Sequence, residues 1–358
     1  MISPILKVFL PSLLTFLIGV FLTPYLTTWM YKQRLWKKLA REDNNPDEIS
    51  VAYASVHNVE QEVRTPRVGG VIIWVSVVLT TIILYGIATI IPADFSIELD
   101  YLSFNQTLLP MITLLFGGIF GLFEDFLEIN PDWLSRFRTG LDPHHTINSK
   151  YLISMVLIVA GVFGFWFYSK LDYHSIFIPI LGVWNIGWWF IPYFIIMMLG
   201  VFSSRVIDGI DGLAGGVMSI IYGAFGIIGL IQHQYDIAAL CFVIAGALLV
   251  FLWFNVPPAR FYMGETGMMA LVLTLPIIAF LLDKSLWIII IGFPLVATAF
   301  SSFIQIISKK YFGKKIFRIA PLHHHFQAIG WSSPKVVMRY WIFSLIAAIT
   351  GVLLVLVG

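Results

Sequence analysis

Charged residues are scarce in this chain of 358 residues. Asp, Glu, Lys and Arg make up 12% of it, whereas hydrophobic residues make up 59%. A soluble globular domain carries about 25% charged residues, so this composition excludes that class and predicts an integral membrane protein. A single cysteine, Cys241, excludes a disulfide framework and a cysteine-rich metal site. The small net charge of +2 gives no reason to expect nucleic acid as a partner.

Long apolar runs recur along the whole chain. A transmembrane helix needs about 20 predominantly apolar residues. The runs span about 5–31, 69–91, 106–127, 151–170, 176–202, 214–232, 236–254, 268–282, 286–308 and 337–357. They predict an all-α integral membrane protein with about ten transmembrane helices, in a single domain that covers residues 1–358. A polar insertion at about 41–63 falls in the loop after the first run.

Basic residues are concentrated in alternate loops. Five loops carry 19 of the 22 Lys and Arg residues, and these loops are 32–68, 128–150, 203–213, 255–267 and 309–339. In a chain with ten spans the five loops share one face of the membrane. The positive-inside rule predicts that this face is cytoplasmic. Both termini are then expected to be extracytoplasmic.

Carboxylates cluster in or beside the same five loops. Acidic groups near membrane depth are costly and usually functional, although any one of them can instead be a helix cap at the interface. Asp211, for example, is also placed to cap a helix that opens at Leu213. The acidic residues in question are Glu124, Asp125, Glu128, Asp208, Asp211 and Glu265. Oxygen ligands without a cysteine cluster favour Mg²⁺ over zinc and indicate phosphoryl chemistry.

Glycines and cations beside these acids suggest an anionic substrate. Gly264 precedes Glu265 and allows backbone N–H groups to approach a phosphate. Tyr262 is placed either to stack on a nucleobase or to belong to an interfacial aromatic belt. The basic segment that contains Thr65, and Lys150 at the start of the fourth run, lie at the same face. Taken alone, these cations are equally expected as positive-inside anchors.

Three adjacent histidines, His323, His324 and His325, lie in the last basic loop. Imidazoles donate hydrogen bonds, titrate near neutral pH or bind metal. A plain solvated loop is the alternative. Because the acids already provide oxygen ligands on the same face, we expect the histidines to bind a donor substrate instead of a metal ion.

Together these segments resemble the polyprenyl-phosphate N-acetylhexosamine-1-phosphate transferases, and among them the phospho-N-acetylmuramoyl-pentapeptide transferases of peptidoglycan synthesis. The matching segments are TPRVGG, IDGIDGLAGG, FLWFNVPPARFYMGETG and FRIAPLHHHFQAIGWSSPKVVMRYWIFS. The resemblance covers nearly the whole chain, and its last segment is highly specific. It implies ten spans in the bacterial cytoplasmic membrane with a cytoplasmic active site. It also implies transfer of phospho-MurNAc-pentapeptide from UDP-MurNAc-pentapeptide to undecaprenyl phosphate, which yields lipid I and UMP and uses Mg²⁺.

The resemblance also implies roles for particular residues, and it implies a possible homodimer. The catalytic residues would be Glu124, Asp125, Asp208, Asp211, Asn255, His323, His324 and His325. The substrate-binding residues would be Thr65, Lys150, Tyr262 and Gly264, and Glu265 would bind the metal.

The chain departs from the family pattern at several of these positions. The family's DDxxK motif reads Glu-Asp-Phe-Leu-Glu from Glu124 to Glu128, and its metal-binding aspartate is Glu265 here. Two asparagines before the DGxDG motif are Phe202 and Arg205, and Arg205 is a candidate to restore the positive charge lost at Glu128. Two further functions therefore stay open. One is a transferase for another UDP-N-acetylhexosamine or polyprenyl acceptor, and the other is a catalytically impaired homologue that binds lipid phosphate.

Overall fold

The computed structural model describes residues 3–36, 64–103, 106–130, 149–179 and 181–357. Within these residues nine helices are long and apolar enough to cross a membrane. The β-structure of the described residues is a single two-stranded hairpin. The predicted all-α integral membrane fold is therefore confirmed. The predicted polar insertion lies outside the described residues.

The helices and strands follow one another with short connections. In chain order they are α1 (Pro4–Lys32), α2 (Val71–Ile90), α3 (Asp94–Leu99), α4 (Leu108–Ile129), α5 (Ser149–Lys170), β1 (Ser175–Ile178), β2 (Gly182–Asn185), α6 (Phe190–Ser203), α7 (Leu213–Ile231), α8 (Tyr235–Asn255), α9 (Gly264–Leu281), α10 (Trp287–Ile291), α11 (Phe293–Phe312), α12 (Leu322–Ala328) and α13 (Ser333–Val357). Two single 3₁₀ turns, Gly187–Trp189 and Ser204–Ile207, flank α6.

The ninth predicted run, 286–308, is not one continuous span. It is divided at Gly292 into α10 and α11. Pro294 is the second residue of α11, and it lacks the N–H group that would continue the helix from α10. The expectation of ten unbroken spans is corrected here to nine helices and one divided segment, within the residues described.

The fifth predicted run, 176–202, begins with a hairpin and not with a helix. Strand β1 pairs antiparallel with β2, so that Ile176 lies opposite Trp184 and Phe177 opposite Val183. Aromatic and β-branched residues favour strands, and Gly182 adopts a φ of +80° at the start of β2. The apolar span proper extends from Gly187 to Ile207.

Helix α9 is the most enclosed helix of the bundle, with 89% of its apolar window buried. Helix α4 packs closely against it because small residues face it. A Cβ atom added at Gly117 would lie 2.5 Å from the backbone oxygen of Met269. Gly117, Gly121 and Asp125 are four residues apart and therefore share one face of α4. This glycine contact brings Asp125 to the first turn of α9.

The loops that carry the predicted site residues meet at one end of the bundle, which we call the site end. The start of α1 lies at the opposite end, where the Lys7 Nζ atom is 2.6 Å from Asp236 Oδ1 at the start of α8. Trp287 in α10 donates a hydrogen bond to the backbone oxygen of Gly351 near the end of α13. The start of α1 and the end of α13 thus lie away from the site end, and their predicted extracytoplasmic location stays a prediction.

Candidate active site

Two of the predicted motif segments lie side by side at the site end. Tyr262 N–H donates to the Pro66 carbonyl at 2.8 Å, and Gly69 N–H donates to the Tyr262 carbonyl at 2.9 Å. Gly70 N–H donates to the Met263 carbonyl, also at 2.9 Å. Thr65 is buried beside this pairing and Tyr262 is half-buried. The TPRVGG and YMGETG segments thus form one structural unit, although 190 or more residues separate them in the sequence.

Asp125 joins α4 to the first turn of α9. Its Oδ1 atom accepts a hydrogen bond from Glu265 N–H and its Oδ2 atom accepts one from Thr266 N–H, both at 2.9 Å. The side chain is almost fully buried, with 1% exposed. A helix N-terminus favours negative charge because its first N–H groups have no partner within the helix. These contacts give Asp125 a positioning role, since they hold Glu265 in place.

Gly264, the first residue of α9, is required by the close approach of three segments. Its φ of +67° is in the left-handed region that favours glycine. A Cβ atom there would overlap the backbone oxygen of Arg67, and it would lie 2.6 Å from Asp125 Oδ2. The role of Gly264 in substrate binding stays a prediction. The structure shows that the position requires glycine for its backbone conformation and for the close approach of its neighbours.

Asn255 connects two of the loops that build the site. Its Oδ1 atom accepts a hydrogen bond from Gly212 N–H at 2.8 Å, and its Nδ2 group donates to the Phe261 carbonyl at 2.9 Å. The side chain is 5% exposed. The amide therefore ties the DGIDG loop to the segment that leads into α9. Its predicted catalytic role is not tested by these contacts, which instead explain why an amide is needed there.

The two aspartates of the DGIDG loop differ in their surroundings. Asp211 accepts a hydrogen bond from Ala259 N–H through Oδ2 at 3.1 Å, and desolvation raises its pKa. The Asp208 side chain is exposed at the site. Partial desolvation by the surrounding protein groups raises the pKa of Asp208 to about 7, while Arg67 opposes this shift and Glu265 adds to it. Asp208 is thus suited to exchange a proton near neutral pH.

The histidine run lies on a short helix, α12, and not in the loop that the sequence suggested. Successive residues of a helix point about 100° apart, so three adjacent histidines cannot converge on one metal ion. His323 is fully buried, and the His324 Nδ1 atom is 2.7 Å from Gln327 Oε1. His325 turns the other way, and its Nδ1 atom accepts a hydrogen bond from Arg318 N–H at 3.2 Å.

His323 and His324 pack against the DGIDG loop. Their rings contact each other with centroids 4.1 Å apart. A Cβ atom added at Gly209 would lie 2.6 Å from His323 Nε2 and 2.8 Å from His324 Nε2. The structure therefore brings two of the three predicted histidines next to Asp208. His325 contacts Phe317 and Phe326 and contributes to the packing of α12 itself.

Arginines and glutamates form the electrostatic centre of the site. The Arg205 Nη1 atom lies 2.8 Å from Glu265 Oε2 and 3.7 Å from Glu124 Oε2. Arg67 pairs with Glu128 at 3.4 Å. The two glutamates that depart from the family pattern on α4 thus each face an arginine. Lys150 begins the apolar span of α5 with an exposed side chain, and its predicted part in substrate binding stays a prediction.

Sequence reasoning missed two groups that complete this arrangement. Gln327 orients His324 through a hydrogen bond. Gln327 follows His324 by three residues, and this helical spacing is the signal from which the contact could have been predicted. Thr266 connects three elements, because it accepts a hydrogen bond from Trp74 Nε1 and donates one to the Gly118 carbonyl. No sequence pattern marks a contact of that kind, since the partners lie on α2 and α4.

The acids of the site do not form a ready-made metal site. No group of three or more His, Cys, Asp or Glu side chains that could hold a metal ion occurs among the described residues. Asp125 is occupied by backbone N–H groups and Glu265 by a guanidinium group. A preformed Mg²⁺ site built from protein carboxylates alone therefore does not fit these side chains as they stand.

Comparison with known proteins agrees with this arrangement. A family model described as glycosyl transferase family 4 matches residues 107–283. A phospho-N-acetylmuramoyl-pentapeptide-transferase of Bacillus mycoides (strain KBAB4) is 30% identical over 341 residues, which cover 94% of both chains. The enzyme of that name from Bacillus anthracis (strain A0248) is 31% identical over 342 residues, again with 94% of each chain covered. The chain belongs to the phospho-N-acetylmuramoyl-pentapeptide-transferase family.

Membership in the phospho-N-acetylmuramoyl-pentapeptide-transferase family identifies the chain as a multi-pass membrane phosphoglycosyl transferase. The glycosyl transferase family 4 match includes the acidic end of α4, the DGIDG loop and the first turn of α9. It ends at residue 283, before the histidine helix, whereas the similarity to the Bacillus enzymes covers nearly the full chain. The resemblance predicted from sequence is thus confirmed.

Proposed function

We propose that this protein transfers phospho-MurNAc-pentapeptide from UDP-MurNAc-pentapeptide to undecaprenyl phosphate, with lipid I and UMP as products. The observation that carries the proposal is the meeting of the DGIDG loop, the first turn of α9 and the histidine helix. Asp208, Glu265 and His324 come from three distant parts of the sequence and lie close together at the site end. The names of the Bacillus relatives supply the substrate class.

In the proposed reaction an oxygen of the lipid phosphate attacks the phosphorus that is bonded to the sugar. A new P–O bond forms, the bond from that phosphorus to the bridging oxygen breaks, and UMP leaves with this oxygen. Such a reaction depends mainly on positioning and on charge neutralisation. In this proposal the Asp208 carboxylate orients the acceptor phosphate or accepts its proton.

The remaining residues of the site then have distinct parts. The imidazole of His324 donates a hydrogen bond to the donor's phosphates or sugar, and the buried ring of His323 packs against it and positions it. Asp125 and Asn255 position the loops through their backbone contacts. Arg205 supplies positive charge beside Glu265, where the negative donor diphosphate would arrive.

Mg²⁺ is part of this proposal. When bound, it would neutralise the charge of the donor diphosphate. Because Arg205 already pairs with Glu265, this ion would be held mainly by the phosphates of the substrates, and the predicted metal-binding role of Glu265 stays a prediction. We further propose a bacterial cytoplasmic membrane location with the site end at the cytoplasm. Formation of a homodimer stays a prediction.

The test is UMP release by the purified protein in detergent with undecaprenyl phosphate and Mg²⁺. We expect UMP with UDP-MurNAc-pentapeptide as donor, and a loss of at least about 100-fold for Asp208→Asn, as for removal of a group that moves a proton. UMP from UDP-GlcNAc but not from UDP-MurNAc-pentapeptide would select another donor. A folded protein that releases no UMP from either donor would contradict the transferase and leave a lipid-phosphate-binding homologue.

A further inference from the structure

One guanidinium group lies between two carboxylates at the centre of the site. Arg205 is on the 3₁₀ turn Ser204–Ile207, and its guanidinium stacks over the Phe202 ring, 4.8 Å from the ring centre. This stacking directs Nη1 toward Glu265 Oε2 at 2.8 Å and Glu124 Oε2 at 3.7 Å. The guanidinium thereby bridges α4 and α9, the two most closely packed helices of the site.

Glu124 depends on this cation. Its side chain is 6% exposed, and its Oε2 atom accepts no hydrogen bond from any described residue. A buried carboxylate without a cation or a hydrogen-bond donor is strongly unfavourable. Arg205 is the cation that the structure places beside this oxygen.

A guanidinium and a divalent metal ion compete for the same oxygens. Arginine stays charged at every physiological pH and presents five N–H donors in a rigid plane, a geometry that suits carboxylates and phosphates. A metal ion could reach Glu265 only by displacing Arg205 or by approaching the second oxygen. Both routes are opposed by the positive charge already there.

We propose that Arg205 is a built-in cation, which takes the place of a protein-held divalent metal between Glu124 and Glu265 and offers its remaining N–H groups to the donor diphosphate. The binding of the donor diphosphate by Arg205 rests on the proposed function. The exclusion of a metal ion by Arg205 does not. The substrate-free protein should accordingly bind divalent metal weakly. Any Mg²⁺ in the reaction would then enter with the substrate's own phosphates.

The test is Mn²⁺ binding to the substrate-free protein, followed by the loss of the electron paramagnetic resonance signal of free Mn²⁺. Arg205→Gln removes the charge and retains much of the side-chain length. We expect it to bind Mn²⁺ at least about tenfold more tightly than the wild type, because a positive charge beside both carboxylates has been removed. The double variant with Arg205→Gln and Glu265→Gln should return to the weak binding of the wild type. Arg205→Lys should stay weak.

Glu265→Gln alone provides a second test that does not need the arginine variant to fold. If Arg205 excludes the metal, this substitution leaves the weak Mn²⁺ binding of the wild type unchanged. Tight Mn²⁺ binding by the wild type that Glu265→Gln abolishes would overturn the proposal, as would equal affinities of the wild type and folded Arg205→Gln. UMP release is measured separately. A protein that shows the expected Mn²⁺ pattern but no turnover would contradict the proposed function and leave the exclusion of metal standing.

Discussion

Gly209 is the residue at which the DGIDG loop touches the histidine helix. The rings of His323 and His324 occupy the space that a Cβ atom would need, at 2.6 and 2.8 Å. No larger residue fits there unless the histidines move. The glycine therefore sets the distance between these imidazoles and Asp208. A glycine is needed here because of the close contact with the rings, and not because of its backbone conformation.

We expect Gly209→Ala to displace the imidazoles and to lower turnover by about 100-fold, the loss that follows from a shift of about 1 Å in an active site. Overpacking should also lower the free energy of unfolding by about 1–3 kcal/mol. UMP release and thermal unfolding in detergent measure the two effects. Gly223→Ala is the matched control, because a Cβ atom at Gly223 in α7 meets nothing within 4 Å. Equal turnover of Gly209→Ala and Gly223→Ala would contradict the inference that the contact of Gly209 with the histidine rings positions them for the reaction.

Asp208 should give the reaction a dependence on pH near neutrality. Its pKa is raised to about 7, chiefly by desolvation, so the carboxylate takes up a proton as the pH falls through this value. If the carboxylate orients or deprotonates the acceptor, kcat/KM falls below about pH 7 by about tenfold per pH unit, since only the ionised fraction is active. A pH profile of UMP release at low substrate concentration measures this decline.

The lipid phosphate also titrates, and Asp208→Asn separates the two contributions. Residual activity of this variant should lose the inflection that belongs to the enzyme and retain the one that belongs to the substrate. A profile of the same shape in both proteins would show that Asp208 is not the titrating group.

At the scale of elements, the site depends on ties between loops that are far apart in the sequence. Asn255 holds the DGIDG loop on one side and the start of α9 on the other, and it uses both ends of its amide. Asp125 does the same between α4 and α9. Residues that the family resemblance marks as catalytic thus also carry the mechanical connection between the elements.

Asn255→Asp tests this tie with little change in shape. The new carboxylate can still accept the hydrogen bond from Gly212 N–H, but it presents an oxygen to the Phe261 carbonyl in place of a donor. Leaving that buried acceptor unpaired costs about 1–3 kcal/mol, so we expect a clear decrease in the thermal unfolding temperature. Asn185→Asp in the exposed hairpin is the control, because only its Oδ1 atom accepts a hydrogen bond, from Gly187 N–H. Similar decreases in both variants would argue against a special role for Asn255.

The elements that the sequence predicted least well are those in which apolarity and conformation disagree. Residues 176–185 are apolar enough to join the fifth run, yet the strand preference of Ile176 and Phe177 and the turn at Gly182 form a hairpin. The histidine segment looked like a loop, because a helix as short as Leu322–Ala328 has too few residues to show a period. The long apolar helices were predictable, since apolar length alone determines a span.

At the scale of the whole molecule, composition and charge predicted the class of the protein, whereas the ion pairs of the site were beyond the sequence. Arg205 was a candidate only because it lies near the DGIDG motif. Its contacts with Glu124 and Glu265 depend on how α4 and α9 pack. That packing is determined by Gly117 and Gly121, whose spacing is visible in the sequence but whose partner helix is not.

The distribution of Lys and Arg predicts that the site end faces the cytoplasm, and thiol labelling in cells can test this. The only native thiol, Cys241, is fully buried. Its replacement by alanine removes the remaining background of maleimide labelling. Single cysteines are then introduced by Lys314→Cys, in the exposed loop at the site end, and by Val183→Cys, in the exposed hairpin at the other end. Because a charged maleimide does not cross the membrane, we expect it to label Val183→Cys in intact cells, and Lys314→Cys only after permeabilisation. Labelling of Lys314→Cys alone in intact cells would reverse the orientation and place the site away from the nucleotide-linked donor, which would contradict the positive-inside assignment and the proposed reaction together.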